Sequence, residues 1–101
     1  MSKSILQDYK GGECYLCSLL YDNDFPQQTE EHHIFYGGGN RKLSEHYGLK
    51  VKLCIAHHRE GPEAVHRNKR NRELLCRIAQ RKFEEKYPDK SFREIFGKNY
   101  L

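Results

Sequence analysis

Apolar residues recur along this chain at spacings that predict two strands and one long helix. Residues 29–36 are rich in aromatic and β-branched side chains, and residues 49–54 alternate apolar with basic ones, so each segment is predicted to form a strand. Across 68–87 the apolar side chains follow helical spacing and form one stripe, which predicts the longest helix. The stripe comprises Leu75, Ile78, Ala79, Phe83 and Tyr87.

Proline, glycine and capping residues predict where the helices begin and end. Pro88 follows the long helix, where a proline cannot continue it. Residues 91–97 are predicted to form a short helix that Ser91 caps and Gly97 ends. Earlier in the chain, a helix is predicted to start at Ile55 and to be interrupted by Gly61-Pro62.

The segments before and between the strands carry turn signals. "ECYLCSLL", residues 13–20, is predicted to form a compact knuckle, and residues 21–28 a loop. "GGGNRK" predicts a flexible turn after the first strand. Residues 43–48 are then predicted to form one helical turn with Ser44 as its candidate cap. The order of elements indicates a single small α+β domain.

Composition indicates that this domain needs more than hydrophobic burial. The chain has 101 residues, of which 37% are apolar, and its mean hydropathy is −0.95. Small domains with so little apolar surface are usually stabilised by a metal or by disulfides. The four cysteines are the obvious candidates.

Cysteine spacing favours a metal over disulfides. The N-terminal residues contain no apolar core typical of a secretory signal, and no stretch is apolar enough to span a membrane. We therefore expect an intracellular, reduced chain, in which Cys14-x2-Cys17 and Cys54-x2-His57 close a tetrahedral structural zinc site. The alternative is that Cys54 is a buried strand residue and the first motif is incidental. Cys76, on the apolar helix, is predicted to be a small core residue.

Charge is distributed unevenly along the chain. Residues 1–40 contain two Lys/Arg against six Asp/Glu, whereas residues 41–101 contain sixteen against eight. A basic half of this size suits an anionic polymer such as nucleic acid, although a solvated helix surface would have the same composition.

Histidines cluster around the predicted strand pair. His32 and His33 are adjacent on the first strand, His58 follows the second cysteine knuckle, and His66 lies eight residues further on. A single histidine is usually a surface or core residue, but four around one strand pair favour a second functional site. His46 has no such context and is predicted to lie on the surface.

These motifs together resemble the HNH endonuclease superfamily. The resemblance rests on an acid-flanked His-His on one strand, a loop with Asn, a second strand and Cys-x2-His-His, and it covers roughly residues 14–66. The segments "HHIFYGGGNRK", "YGLKVKLC" and "HHREGPEAVHRN" are similar to those of small phage and prophage HNH proteins. RecA-dependent phage nucleases share the "LCxxHH" pattern. The resemblance implies a ββα-metal finger, often with a zinc held by two knuckles.

The resemblance also implies roles for the histidines. His33 would be the general base that deprotonates a water, while His32 and His58 would hold a catalytic divalent cation such as Mg, Mn, Ni or Zn. The chain would divide into an N-terminal lead-in (1–13), the finger (14–67), and C-terminal helices that pack on it (68–101). The protein would act in the cytoplasm of a bacterial host.

Two positions depart from the family pattern. The family asparagine lies a few residues before the Leu-Cys pair, where this chain has Leu49. Asn40 is the nearest candidate, and it would orient His33 or only stabilise its own turn. The last metal ligand would be His66, which on an unbroken helix would lie ~12 Å from His58 along the axis. We expect Gly61-Pro62 to fold His66 back, as a metal ligand or a phosphate contact.

The implied substrate is DNA, bound mainly through its phosphate backbone, which predicts steep salt dependence and little sequence preference. The candidate phosphate contacts are Arg41, Lys42, Lys50, Lys52, Arg59, Arg67, Lys69, Arg70 and Arg72.

Two other functions remain open at the level of sequence. The first is a catalytically inactive, zinc-stapled DNA-binding module, which the displaced asparagine would explain. The second is a treble-clef-like protein-interaction domain.

Overall fold

The computed structural model describes residues 3–101, which form a small α+β fold around one apolar core. Its regular elements, in chain order, are a 3-10 turn (Tyr9–Gly11), α1 (Tyr15–Tyr21), β1 (Thr29–His33), α2 (Asn40–His46), β2 (Lys50–Cys54), a π-helical turn (Ala56–Glu60), α3 (Lys69–Lys86) and α4 (Phe92–Phe96).

The sheet positions the two adjacent histidines. β1 and β2 pair antiparallel, with Thr29 opposite Cys54 and His33 opposite Lys50. Because successive strand side chains point to opposite faces, the rings of His32 and His33 lie on different faces of the sheet. The first strand was expected to continue to residue 36 but ends at His33. Beyond His33 the N–H of Ile34 still donates to the carbonyl of Leu49 (3.1 Å), and the N–H of Phe35 then donates to Ser44 Oγ (3.2 Å).

The connection between the strands is helical, and the prediction for this segment was wrong in its details. α2 begins at Asn40, inside the expected flexible turn, after Gly39 in the left-handed conformation (φ 89°). Ser44 lies within α2 rather than at its start, and it is fully buried. Its hydroxyl donates to the carbonyl of Leu49 and accepts from Phe35, so it joins both strand ends.

The N-terminal lead-in packs along β2. Gln7 Oε1 accepts a hydrogen bond from the N–H of Lys52 (2.8 Å), and the N–H of Ile5 donates to the carbonyl of Gly48 (2.9 Å). A Cβ at Gly48 would lie 2.2 Å from the carbonyl oxygen of Lys3. Only glycine permits this approach, which also occurs at a positive φ of 72°.

The C-terminal helices complete the core much as predicted. Asn68 caps α3 by accepting from the N–H of Asn71 (3.0 Å), and Leu75, Ala79 and Phe83 are fully buried. Cys76 is also buried, which confirms its prediction as a core residue.

α4 has the predicted cap and end. Ser91 Oγ accepts from the N–H of Glu94 (3.2 Å), and Gly97 ends the helix at a φ of 79°. The Phe92 and Phe96 rings pack on Phe35, with centroids 5.2 and 4.9 Å away. Within residues 3–101, every helix is too short or too polar to cross a membrane.

Candidate metal centres

Three cysteines and one histidine converge where α1, β2 and the π-helical turn meet. Cys17 Sγ lies 3.9 Å from Cys54 Sγ. The Nδ1 atom of His57 lies 3.7, 3.3 and 3.4 Å from the sulfurs of Cys14, Cys17 and Cys54. All four residues are buried. The sequence prediction therefore named residues that the fold brings into one cluster.

The cluster has the dimensions of a tetrahedral metal site. Around a zinc ion with Zn–S of ~2.3 Å and Zn–N of ~2.0 Å, tetrahedral ligand atoms lie ~3.5–3.8 Å apart. The sulfur–sulfur distance of 3.9 Å is far too long for a disulfide. Burial raises the pKa of the Cys54 thiol, which favours its neutral form, whereas a bound cation would favour the thiolate. The cluster could hold a structural metal such as zinc.

Glu63 and Tyr21 support this cluster from outside, and the sequence analysis named neither. Glu63 Oε1 lies 3.4 Å from His57 Nε2 and also accepts from the Tyr21 hydroxyl. The Tyr21 ring stacks on the His57 ring at 6.0 Å. A carboxylate on the second ring nitrogen keeps Nδ1 unprotonated, which is the state that binds a metal.

Three other histidines form a second cluster. His32 on β1 meets His58 and His66, with all candidate ligand nitrogens within 4.8 Å of one another. The Nε2 atoms of His58 and His66 are 3.2 Å apart. This histidine triad (His32, His58, His66) is buried at His32, half-buried at His58 and exposed at His66.

His66 reaches His58 because the chain folds back after the π-helical turn, as the Gly61-Pro62 interruption predicted. The N–H of Val65 donates to the carbonyl of His57 (2.8 Å), which aligns the returning segment with the turn. At Gly61 the N–H donates to the carbonyl of Ala56, and a Cβ there would lie 2.6 Å from the same oxygen. Gly61 therefore fixes the bend that closes the triad.

The lowered pKa values of two triad histidines favour binding of a cation. Burial, with the neighbouring His58, His66 and His33, lowers the pKa of His32 to about 3. Partial desolvation also lowers the pKa of His66, although its side chain is exposed, as do the charges of His58 and Arg72. Both rings are therefore neutral near pH 7, as metal ligation requires.

Glu30 contacts the triad through His58. It lies 2.8 Å from His58 Nδ1 and accepts from Arg59 at 2.9 and 3.1 Å. The hydrogen bonds from Arg59 and His58 lower the pKa of Glu30 to about 2. Because Glu30 occupies Nδ1 of His58, Nε2 remains the nitrogen that faces His66.

His33 belongs to a different network on the opposite face of the sheet. Its Nε2 lies 2.8 Å from Glu45 Oε1 and 4.0 Å from Glu31 Oε1, and its ring is 8% exposed. Glu45 also did not emerge from the sequence analysis, because its position within α2 relative to β1 could not be derived from spacing. Glu31, His33 and Glu45 form a third group with metal-binding residue types.

In that third group the side-chain ammonium of Lys50, rather than a metal ion, compensates the negative charge of the carboxylates. Its Nζ lies 2.8 Å from Glu45 Oε2 and 3.4 Å from Glu31 Oε2, and the side chain is only 2% exposed. The expectation that Lys50 lines an exposed phosphate-binding face is therefore wrong. Its aliphatic stem and ammonium are buried because two carboxylates on neighbouring elements compensate the charge.

The other predicted basic residues are accessible to different degrees. Arg59 donates to Glu30, and Arg72 Nη1 donates to the carbonyl of Val65 (3.1 Å), so both lie beside the triad. Lys52 Nζ stands 5.3 Å from the centroid of Tyr9. Lys52 and Arg72 are half-buried; the exposed members are Arg41, Lys42, Arg59, Arg67, Lys69 and Arg70.

Asn40 and His46, the candidate family asparagine and the histidine predicted to lie on the surface, are the first and last residues of α2. Asn40 begins α2, and its Nδ2 donates to the carbonyl of Phe96 (3.4 Å), which ties α2 to α4. The hydrogen bond found for its side chain thus serves packing, and Glu45 rather than Asn40 contacts His33. His46 is exposed, as predicted, and its ring packs on Tyr47.

Comparison with known proteins found no relative of this chain: no family model, curated protein or solved structure matches it.

Proposed function

We propose that this chain is a metal-dependent DNA endonuclease of the HNH type, phage or prophage derived, that hydrolyses phosphodiester bonds in a bacterial cytoplasm. The observation that carries the proposal is the presence of two different clusters of metal-binding residues. One is closed by four buried ligands, and the other has three histidines with one exposed member. Structural metal sites are closed, whereas catalytic sites keep a position open to substrate.

The zinc-stapled ββα arrangement supports the same proposal. β1 connects through α2 to β2, and the π-helical turn comes after β2, with the Cys-x2-His-His segment at the end of β2. This arrangement brings His32 from a strand and His58 from the turn to one side of the sheet. It places the cluster that could hold a structural metal, such as zinc, beside the separate set of ligands that we propose for a catalytic cation.

In the proposed site His32, His58 and His66 would hold the divalent cation. Such a cation, when bound, polarises a phosphodiester and stabilises the charge that develops on its leaving oxygen. Arg72 adds positive charge beside the triad, whereas the charge of Arg59 is balanced by Glu30. The positive charge of Arg72 favours approach of a polyanion, and binding would weaken steeply with salt.

His33 is the proposed general base. It follows His32 directly and ends β1, and its charge is close enough to contribute to the lowered pKa of His32. Histidine is the side chain that most often accepts a proton in general-base catalysis near neutral pH. The metal ligands and the base are thus separate residues.

The proposal predicts that His33→Ala abolishes nicking of supercoiled plasmid, with a loss of ~100-fold or more, because general-base catalysis is removed. Zinc content and DNA affinity should stay at the wild-type level. His46→Ala, an exposed histidine on α2, is the matched control and should nick normally. Cleavage by a folded His33→Ala protein at the wild-type rate contradicts the assignment.

The same assay distinguishes a non-catalytic DNA-binding module. This second candidate is favoured by one observation, the hydrogen bond of Asn40 to Phe96 rather than to a catalytic residue. It predicts that the wild-type chain retains DNA at low salt but never nicks it with Mg, Mn, Ni or Zn. A protein-interaction domain would show neither retention nor nicking.

A further inference from the structure

The hydrogen bond between His33 and Glu45 has a defined direction. A carboxylate can only accept, so the proton between Glu45 Oε1 and His33 Nε2 (2.8 Å) belongs to the imidazole. A neutral imidazole with its proton on Nε2 has its lone pair on Nδ1. In the part of the chain that the structure describes, residues 3–101, no hydrogen bond is made to Nδ1 of His33.

Lys50 fixes the orientation of the Glu45 carboxylate. Its Nζ lies 2.8 Å from Oε2 of Glu45, while Oε1 of the same group faces His33. Lys50 is itself held by Glu31 at 3.4 Å and is 2% exposed. The Lys50 ammonium offers donors only, and its contact with Oε2 leaves Oε1 of Glu45 to accept from His33.

We propose that Glu45 is a positioning residue for His33, which holds its ring with the proton on Nε2 and leaves Nδ1 as the atom that accepts a proton from water. Lys50 acts through Glu45 by anchoring its second oxygen. This inference rests on the proposed function for its catalytic consequence, but the tautomer of His33 is a property of the chain alone. A carboxylate that also faces the ring as it becomes an imidazolium stabilises the charge that forms when the base takes a proton.

Glu45→Gln tests this assignment with almost no change of volume. Because Lys50 can only donate, the amide oxygen of Gln should turn to Lys50 and the amide NH2 to His33 Nε2. Nε2 must then accept, which moves the proton of the ring to Nδ1. We expect kcat for plasmid nicking to fall ~100-fold or more, the typical contribution of a general base. KM and DNA affinity should change less than ~3-fold, because no phosphate contact is lost.

The tautomer is read directly by 15N NMR of the zinc-loaded protein at about pH 8, where an unperturbed imidazole is neutral. The His33 signals are those that disappear in His33→Gln. The proposal expects Nε2–H in the wild type and Nδ1–H in Glu45→Gln. The matched control is Glu85→Gln, an exposed residue of α3, which should keep the wild-type spectrum and kcat.

Two results overturn the proposal. One is a wild-type ring protonated on Nδ1 or on both nitrogens, and the other is a Glu45→Gln protein with the wild-type tautomer and an unchanged kcat. The wild-type spectrum decides even if the variant fails to fold. A wild-type chain that binds metal but never nicks plasmid contradicts the proposed function, and the spectra then decide on Glu45 independently.

Discussion

His32 and His33 are neighbours in the chain, but each ring has its own set of partners. His32 meets His58 and His66, and His33 meets Glu45. Strand alternation alone predicts this division, because adjacent side chains point to opposite faces. The partners on the second face could not be predicted in the same way, since they depend on where α2 packs.

Glu63 offers a test at the scale of one residue. We expect Glu63→Gln to lower zinc affinity by ~10-fold or more, because its carboxylate orients His57 and keeps the metal-binding nitrogen free. Competition with a chromophoric chelator measures the change. Glu85→Gln should bind zinc like the wild type. An unchanged affinity in Glu63→Gln would show that the 3.4 Å contact does not support the metal ligand.

Residue types that carry their own chemistry were found from the sequence, whereas supporting residues were not. The zinc-type motif and the four histidines stand out by spacing, and the structure gathers them as two clusters and a separate base candidate. Glu45, Glu63 and Tyr21 are ordinary surface residue types. Their contacts with His33 and His57 arise only from tertiary packing.

At the scale of elements, α1, the end of β2 and the π-helical turn meet at the cysteine–histidine cluster. α1 is a helix of seven residues, too short to be stable alone. Cys14 caps it, with Sγ accepting from the N–H of Cys17 (3.5 Å), so one metal ligand also begins the helix. The metal would therefore hold these elements in place.

Removal of that metal should unfold the domain. Treatment with a strong chelator should lower the thermal midpoint sharply or abolish the transition, because ligation energy is folding energy in such sites. Circular dichroism during heating measures it. Cys76→Ala is the matched control, since Cys76 is buried away from the cluster and its loss should leave zinc bound. A midpoint that chelation does not move would mean that the cluster does not staple the fold.

Element prediction succeeded where local signals agreed with packing and failed where a tertiary contact intervened. The end of α3 before Pro88 and both the cap and the end of α4, Ser91 and Gly97, were predicted from such signals, whereas the Asn68 cap of α3 was not named. α2 was misplaced because Ser44 has the sequence signature of a cap. Its hydroxyl is instead used to join the strand ends.

At the scale of the molecule, the apolar residues form one core, whereas the sequence charge overestimates the accessible basic surface. The core runs from Cys14 to Phe96, and Ile5 and Leu6 of the lead-in pack against it. The basic excess of residues 41–101 is a real feature, but it overstates the surface available to phosphate. Lys50 is buried between two carboxylates, and Arg59 is paired with Glu30. Burial of a charged side chain with its partners leaves no signal in composition.

We propose that the cysteine–histidine cluster binds a structural zinc and that the histidine triad binds a separate catalytic cation. The dependence of plasmid nicking on added metal tests this proposal most directly. Protein that retains its zinc, freed of weaker cations, should not cut supercoiled plasmid until Mg or Mn is added. His66→Ala should need far more of that cation while keeping the zinc content of the wild type, and His46→Ala should behave normally. Nicking that needs no second cation, or that is unchanged in His66→Ala, would contradict the claim.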